Sequence, residues 1–349
     1  MRRVRLTSLC FLFLLLSGAA QAQRVIPAPE FESQFQRTQG WTGADGTYSY
    51  PLPGNRILWS FSDTFFGAVE AGKRKNFAFL NNSHVVQKGD SLTFLEAPSF
   101  VPPDGKGWFW MWDGVYDGEF SALLGQFDKE ESGVFGFGFK QVGLWHVRAE
   151  LKSSPPRLEA LEYQKLPFFE RRGKEQLTFG VAVFREGAWD YILGAHDQGL
   201  ERHARLARVP RGGLGKAGLW RFFDGERWVR DPWAGRSLFS DSSMEASLHK
   251  TAQGSYVYIG SVATSGRIVA RRAPSLTGPW SELKDIYQAP EASGEVIVYN
   301  AKAHPHLCSD RRILISYNVN TTSLTRVVEE ADIYRPRFFW WDPGSGDWF

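Results

Sequence analysis

A hairpin-like pattern recurs along this chain: a strand, a polar turn and a second strand rich in aromatic and β-branched residues. The clearest copy spans 48–61, where large apolar side chains alternate with other residues on both sides of a Pro53-Gly54-Asn55 turn. The alternating positions are Tyr48, Tyr50, Leu52, Ile57, Trp59 and Phe61. A period of two around a glycine-containing turn is typical of an antiparallel β-hairpin. The chain is therefore predicted to be an all-β protein.

Five copies of this pattern fill the chain after its N-terminal segment. They start near residues 45, 113, 182, 245 and 304, which gives spacings of 59 to 69 residues. Each interval holds about four strands with their turns, which is the content of a propeller blade. We therefore predict a five-bladed β-propeller over residues 39–349, with four-stranded antiparallel blades around a central channel.

The lead-in segment at 23–38 bears on how this ring closes. Blade one is expected to continue through Asn76–Gln87 and Ser91–Glu96, and blade five to finish with Ala331–Trp341. Phe31–Arg37 is expected to join Ala331–Trp341 and so complete the ring. Closure removes exposed sheet edges, which are a liability for a β-protein.

The N-terminus has the features of a secretory signal peptide. Three arginines precede the apolar run Leu9–Leu16, and Ala20-Gln21-Ala22 supplies a small-x-small cleavage site. The apolar run is shorter than the roughly 18 residues that a membrane span needs. We therefore predict a cleaved signal peptide at 1–22, a secreted or periplasmic location, and no membrane association of the mature chain.

Composition excludes several other classes of function. Hydrophobic residues make up 43% of the chain, which is enough to bury a core, and the formal net charge of +3 is too small for a nucleic-acid footprint. Cys10 leaves with the signal peptide, so that the mature chain keeps Cys308 alone. Neither an internal disulfide nor a cysteine-based metal site is therefore expected. We expect the mature protein to be a monomer.

Acidic residues stand at the ends of the strands in the first copy. Asp45 precedes the first strand and Asp63 follows the second, so an antiparallel pairing sets both carboxylates at the same open end. Turn or capping chemistry is the ordinary alternative for each residue. The equivalent starts of later copies carry Asp113, Glu245 and His304, and the third copy offers only the apolar residues at 181–182. Since the innermost strands of a propeller start at one face, these side chains are expected to converge on one central mouth.

Converging carboxylates suit glycosidic bond cleavage. One carboxyl group, kept protonated, gives a proton to the leaving oxygen, and another, ionised, activates water or attacks the anomeric carbon. Like charges brought together raise one of the two pKa values, which separates the acid from the base. Other residues near the mouth are predicted to bind substrate. They are Trp41, Trp112, His304, Tyr317 and Asn318, and Trp110 is a further candidate for stacking on a sugar face.

Three segments also carry a family resemblance. They are GADGTYSYPLPGNRILWSFSDT at 43–64, RAPSLTGPW at 272–280 and YNAKAHPHL at 299–307 together with ILISYNVN at 313–320. These segments resemble the secreted bacterial propellers catalogued as domain-of-unknown-function families 4185 and 5005, some of which are endo-acting arabinan hydrolases. The resemblance runs from about Trp41 to about Phe338, and the layout is more distantly similar to glycoside hydrolase family 43, which is also five-bladed.

The resemblance to family 43 implies a role for each acid. Asp45 matches the position of the family's base, Asp113 that of its pKa-modulating acid and Glu245 that of its proton donor. His304 resembles the fifth-blade histidine that often supports a central ion or water cluster, so a structural Ca²⁺ in the channel is one expectation, although no cofactor is required for the reaction. Asp63 has no clear equivalent in that family, which leaves open a working dyad of Asp45 and Asp63 with Glu245 binding substrate.

The sequence therefore predicts an exported glycoside hydrolase that acts on a furanose-containing, arabinan-like or related polysaccharide. Two alternatives remain at this point. A propeller of the same kind can bind glycan without cleaving it, because fold and function separate easily on propellers. A polysaccharide lyase would need a base and a charge neutraliser but no paired acid.

Overall fold

Antiparallel strands dominate the computed structural model, which describes residues 23–130, 138–308 and 312–344. The predicted signal peptide at 1–22 lies outside the described residues. Helices are short, as in α1 (Pro29–Phe35) and α2 (Leu324–Glu329). Within the described ranges, no helix has the length and apolar character needed to cross a membrane. The prediction of an all-β chain is confirmed.

The strands are numbered in chain order. In the first half of the chain they are β1 (Arg24–Pro27), β2 (Gln39–Ala44), β3 (Tyr48–Leu52), β4 (Arg56–Phe61), β5 (Thr64–Glu70), β6 (Lys73–Leu80), β7 (Ser83–Lys88), β8 (Ser91–Phe94), β9 (Trp108–Tyr116), β10 (Phe120–Lys129), β11 (Phe139–Ser153) and β12 (Pro156–Leu166). In the second half they are β13 (Glu170–Arg172), β14 (Glu175–Glu186), β15 (Trp189–Gln198), β16 (Glu201–Pro210), β17 (Arg221–Phe223), β18 (Trp228–Val229), β19 (Ser247–Lys250), β20 (Tyr256–Ser261), β21 (Arg267–Ala273), β22 (Lys284–Gln288), β23 (Val296–Ala303), β24 (Ile313–Thr321) and β25 (Pro336–Asp342).

Successive segments of the chain form successive antiparallel sheets. Their strand orders are β3-β4-β7-β8, then β12-β11-β10-β9, β13-β14-β15-β16-β17-β18, β19-β20-β21-β22 and β1-β25-β24-β23. A smaller sheet, β2-β5-β6, branches off the first of these. One strand of each larger sheet contacts its neighbours: β9 lies against β3 and β14, and β19 lies against β14 and β23. The functional groups described below belong to these strands or to the loops beside them.

The first hairpin forms as its sequence predicts. Strand β3 pairs with β4 from Tyr48↔Ser60 to Leu52↔Arg56. Gly54 and Asn55 take φ values of 76° and 54°, a left-handed conformation that glycine and asparagine adopt more readily than other residues. The alternating residues of β3 point into a core shared with β9 and β10.

The N-terminal lead-in closes the last sheet, but not with the predicted residues. Strand β1 pairs with β25, from Arg24↔Asp342 to Pro27↔Phe339. The predicted closing strand at 31–37 is wrong: most of that segment belongs to α1, because Pro29 at the first helical turn favours a helix start. Phe35 of α1 is buried against Trp41 and Trp59.

The first sheet also differs from its predicted course. The segment 76–87 is not one strand, because β6 ends at Leu80 and β7 begins at Ser83. Asn82 occupies the break and is fully buried, with its amide donating to the carbonyl oxygens of Phe100 and Phe109. These side-chain hydrogen bonds replace the strand pairing and turn the chain from the small sheet into the larger one.

Candidate active site

Asp45 and Asp63 lie side by side at the open end of the first hairpin. The backbone N–H of Asp45 donates to the carbonyl oxygen of Asp63 at 3.1 Å, and Ser62 N–H donates to the carbonyl oxygen of Asp45 at 2.9 Å. Both side chains are partly buried. The antiparallel pairing thus brings the two carboxyl groups together, as the strand-end positions in the sequence indicate.

The Asp45 carboxyl group is shaped by two tyrosines and by its own burial. Tyr299 donates to Oδ2 at 2.7 Å and Tyr334 donates to the same atom at 3.1 Å, whereas Oδ1 accepts no hydrogen bond from the described residues. Burial raises the pKa of Asp45 to about 7, and the charge of Glu245 adds to that rise while the tyrosine hydroxyls oppose it. Asp45 is therefore poised to change protonation near neutral pH.

The Asp63 carboxyl group is held by the neighbouring sheet. Trp110 Nε1 donates to Oδ1 at 2.6 Å, and the amide of Asn81 donates to the same oxygen at 3.1 Å. Burial raises the pKa of Asp63 well above its usual range, and the nearby charge of Asp45 raises it further. Burial therefore raises the pKa of both members of this pair, since neighbouring buried carboxyl groups cannot both ionise cheaply.

Glu245 faces a buried lysine. Lys302 Nζ lies 2.6 Å from Glu245 Oε2, and the side chains are 3% and 15% exposed. The Asn300 amide donates to Oε1 at 2.8 Å, so each Glu245 oxygen has a partner. Burial raises the pKa of Glu245, and the Lys302 charge opposes that rise. Lys302 also donates to the carbonyl oxygen of Gly46, next to Asp45.

Asp113 is tied to two backbone N–H groups. Gly114 N–H donates to Oδ1 at 2.7 Å, and Val183 N–H donates to Oδ2 at 2.7 Å. Burial raises the pKa of Asp113 to about 6 against the lowering effect of these donors and of Lys302. The third copy of the hairpin, which has no acid at its start, therefore contributes a backbone donor from Val183 instead of a side chain.

A bulge in β23 delivers residues that the sequence analysis did not single out. The pairing of β23 with β24 shifts register between Tyr299 and Lys302, and Asn300 takes a left-handed φ of 56°. The bulge lets Tyr299 reach Asp45 while Asn300 and Lys302 reach Glu245. Residues 299–302 (YNAK) enter the sequence analysis only through the family resemblance. No simple sequence pattern predicts the bulge that brings them to the site.

Adjacent residues on β24 face different environments. Asn318 is 1% exposed, accepts from Gly46 N–H at 3.2 Å and donates to Thr47 Oγ1 at 3.1 Å, so it fixes the turn that carries Asp45. Tyr317 points the other way and donates to Glu291 at 3.1–3.2 Å. Both were predicted to bind substrate, but only Asn318 reaches the carboxylate site, and it does so through the backbone beside Asp45.

His304 packs beside the site rather than opening into it. It follows the last residue of β23 instead of starting a strand, and it is 1% exposed. Its Nδ1 lies 2.6 Å from Ser49 Oγ and its Nε2 lies 2.8 Å from Ser316 Oγ, so both ring nitrogens have partners. Burial lowers the pKa of His304 well below its usual range, and the ring is therefore neutral.

Two of the three tryptophans considered as sugar-stacking rings are core residues. Trp41 is 1% exposed and packs against Phe35 and Phe61, and Trp112 is 3% exposed in the core between β9 and β14. The structure does not bring either ring to the carboxyl groups. Trp110 lies there instead, half-buried, with its indole N–H on Asp63. Simple alternation would set Trp110 and Trp112 on the same face, but the pairing of β9 with β10 shifts register between Met111 and Gly114, and this bulge separates the two rings.

The site thus gathers Asp45, Asp113 and Glu245 around one buried ammonium group, that of Lys302, and sets Asp63 beside Asp45. Of the described residues, no three His, Cys, Asp or Glu side chains are arranged to hold a metal ion. Asp45 and Asp63 each keep one carboxylate oxygen that accepts no hydrogen bond from the described residues. The combination of raised pKa values and acceptor oxygens without a donor suits transfer of a proton to or from a bound molecule.

Comparison with known families gives one match. The profile described as "Domain of unknown function (DUF5005)" matches residues 29–342 of the chain. A search among curated proteins found no match.

Several solved structures are similar to this chain. A candidate hydrolase from Bacteroides ovatus ATCC 8483 is 18% identical, with a TM-score of 0.75 over 94% of this chain and 93% of that one. An α-L-arabinofuranosidase from Clostridium thermocellum ATCC 27405 is 13% identical, with a TM-score of 0.49 over 85% and 88%. An α-L-arabinofuranosidase from Podospora anserina is 10% identical, with a TM-score of 0.49 over 94% and 98%. The first similarity shows a common fold.

Proposed function

The chain belongs to the DUF5005 family, and on that premise we propose that it is an exported glycoside hydrolase with a five-bladed β-propeller fold. Its substrate in this proposal is a furanose-containing, arabinan-like or related polysaccharide. The five larger sheets are the blades, residues 39–349 form one domain after the lead-in at 23–38, and the protein acts as a monomer. In support, the five sheets follow one another along the chain, and neighbouring sheets touch through strands β3, β9, β14, β19 and β23.

The pairing of Asp45 with Asp63 carries the proposal. Asp45 is the base or nucleophile: burial raises its pKa to about 7, two tyrosine hydroxyls and the charge of Lys302 favour its ionised form, and its buried Oδ1 accepts no hydrogen bond from the described residues. Asp63 is the proton donor, because burial and the charge of Asp45 both raise its pKa. This choice follows the dyad left open by the sequence rather than the assignment of the acid to Glu245.

Glu245 and Asp113 then hold the substrate and the dyad in place. Glu245 has a cationic partner 2.6 Å away, which favours a carboxylate over a proton donor. Asp113 accepts two backbone N–H groups and lies within the field of Lys302. Both carboxylates remain able to accept hydrogen bonds from sugar hydroxyl groups.

The Lys302 ammonium group supplies the positive charge that a bound metal cation would otherwise supply among the carboxylates. The site does not fit Ca²⁺, because an ammonium group already stands among the carboxylates and both nitrogens of His304 are bonded to serine hydroxyls. We therefore propose that the reaction needs no metal and that His304 supports the wall of the pocket.

Product analysis on arabinan, galactan and xylan tests the proposal. The wild type is expected to release oligosaccharides from at least one polymer, and Asp45→Asn or Asp63→Asn to lower the rate roughly a hundred- to ten-thousandfold. Asp90→Asn is the matched control, because Asp90 is exposed in the turn between β7 and β8. Identical product profiles for the wild type and Asp45→Asn would refute the catalytic proposal, and binding without cleavage would favour a glycan-binding propeller.

A further inference from the structure

Two phenylalanines stand exposed on the small sheet β2-β5-β6. Phe77 is 38% exposed and Phe79 is 48% exposed, and no other phenylalanine in the described parts of the chain is as open to solvent. Both belong to β6, the edge strand of that sheet. Exposed aromatic side chains on an edge strand favour aggregation. Their presence on β6 therefore indicates a binding role.

The two rings share one face of the sheet. Phe65 on β5 contacts both, with centroids 5.1 Å from Phe77 and 4.8 Å from Phe79. Arg74 packs behind them, 4.6 Å from the Phe65 ring, and is itself 1% exposed. The rings are therefore held at a fixed orientation by a buried support, about 7 Å apart along the strand. Below, Phe77 and Phe79 are called the aromatic platform.

The aromatic platform is continuous with the carboxylate site. Tyr334 contacts Phe65 at 5.3 Å and Phe79 at 6.3 Å, and its hydroxyl donates to Asp45 Oδ2. From the other direction, Asn81 follows Phe79 by two residues and donates to Asp63 Oδ1. Both members of the proposed dyad are thus held by groups that also touch or extend the platform.

From this continuity we propose that the aromatic platform is a binding subsite for a glycan chain, for sugar units beyond the bond that is cleaved. The C–H groups on the face of a sugar ring carry partial positive charge and pack against the electron-rich face of an aromatic ring. A linear chain needs only a narrow track of this kind. Two partly exposed rings offer far less than the roughly 800 Å² that each partner buries in a stable protein interface, which argues against a protein occupant.

This inference rests on the proposed function of the pocket, so its test measures binding apart from turnover. The full-length Asp45→Asn/Asp63→Asn protein is run in native gels that contain arabinan, galactan or xylan, and retardation gives the dissociation constant. Phe79→Leu keeps an apolar side chain against Phe65 but removes the ring, and it is expected to weaken binding about three- to tenfold. Phe79→Tyr keeps the ring and is expected to bind as before.

Leu200→Ala is the control for loss of an exposed apolar side chain, because Leu200 is 100% exposed at the turn between β15 and β16. Thermal melting of each variant checks that the fold is kept. In the active protein, Phe79→Leu should raise KM for the polymer by a larger factor than KM for a disaccharide of the same linkage.

The outcomes separate this inference from the proposed hydrolysis. Glycan binding that Phe79→Leu weakens and Phe79→Tyr preserves supports the aromatic platform even if no cleavage is found. Binding that is equal in Phe79→Leu and Leu200→Ala overturns the platform and leaves the dyad standing. No retardation by any of the three polymers overturns the platform as a glycan subsite.

Discussion

The pocket contains two pairs of carboxyl groups with opposite surroundings. Asp113 and Glu245 have a partner on every oxygen, either a backbone N–H, an amide or the ammonium of Lys302. In Asp45 and Asp63 the donors instead converge on one oxygen each, and the other oxygen accepts no hydrogen bond from the residues that the structure describes. The same residue type therefore has two kinds of surroundings: the fully bonded acids are fixed in position, and each half-bonded acid keeps one oxygen to which no described residue donates.

The difference comes from where each pair sits on the sheets. Asp113 lies within β9 and meets the backbone of β14, where unpaired N–H groups are close at hand. Asp45 and Asp63 lie in loops at strand ends, so side chains from other sheets are the donors they meet. Loop positions at the ends of rigid strands are where functional residues concentrate.

Removal of the Lys302 ammonium group should have the largest effect on the two pairs of carboxyl groups. In Lys302→Met, Glu245 loses its cation, and Asp45 and Asp113 lose a shared counter-charge. Breaking a buried ion pair on one side costs about 3–5 kcal/mol of the free energy of unfolding. The loss should be largest near pH 8 and smaller near pH 5, because these carboxyl groups have raised pKa values and take up protons as the pH falls.

Urea denaturation of Lys302→Met at both pH values measures this effect. Lys250→Met is the control: Lys250 pairs with Glu186 at 2.5 Å, but the side chains are 39% and 31% exposed. An exposed pair of that kind is worth about 1 kcal/mol or less. Equal losses for the two lysine variants would mean that Lys302 is not the central counter-charge.

How far the sequence predicts this pocket depends on the kind of signal. Alternation and a glycine turn predict the first hairpin, and antiparallel pairing then predicts that Asp45 and Asp63 meet. Lys302 and Tyr299 reach the pocket through a bulge, and a bulge leaves no periodic trace in the sequence. The sequence predicts that a strand starts at His304, but β23 precedes this residue and ends at Ala303. The burial of Trp41 was also not predictable from the sequence. The Trp41 ring is covered by Phe35 of α1, a helix that the sequence analysis did not predict.

A milder perturbation should shift the protonation of Asp45 without breaking the pocket. Tyr299→Phe removes a hydroxyl that favours the ionised carboxylate, so the pKa of Asp45 should rise above its value of about 7, by up to about one unit. Since a base must be ionised to act, the acidic limb of the activity profile should move to higher pH by the same amount. ¹³C NMR titration of the aspartate carboxyl carbons gives the pKa directly.

Protein stability should follow the same pKa. The folded protein holds a proton on Asp45 at pH values where the unfolded chain has lost it, so this group's contribution to stability falls as the pH rises from about 4 to about 7. Tyr299→Phe should extend that fall to higher pH. Tyr50→Phe is the matched control, because the Tyr50 hydroxyl acts on Asp113 and not on Asp45. An unchanged Asp45 titration in Tyr299→Phe would contradict the assigned hydrogen bond.

The smallest expected effects distinguish adjacent residues on β24. Asn318→Ala removes the amide that fixes Gly46 and Thr47, which should cost about 1 kcal/mol of stability and lower kcat with little change in KM, since Asp45 loses its position. Tyr317→Phe removes a hydroxyl bonded to Glu291, away from the dyad, and should leave kcat within experimental error. If both substitutions lowered kcat equally, loosening of the whole strand rather than the position of Asp45 would explain the loss. A loss of kcat in Asn318→Ala alone would show that the buried amide of Asn318 keeps Asp45 in position beside Asp63.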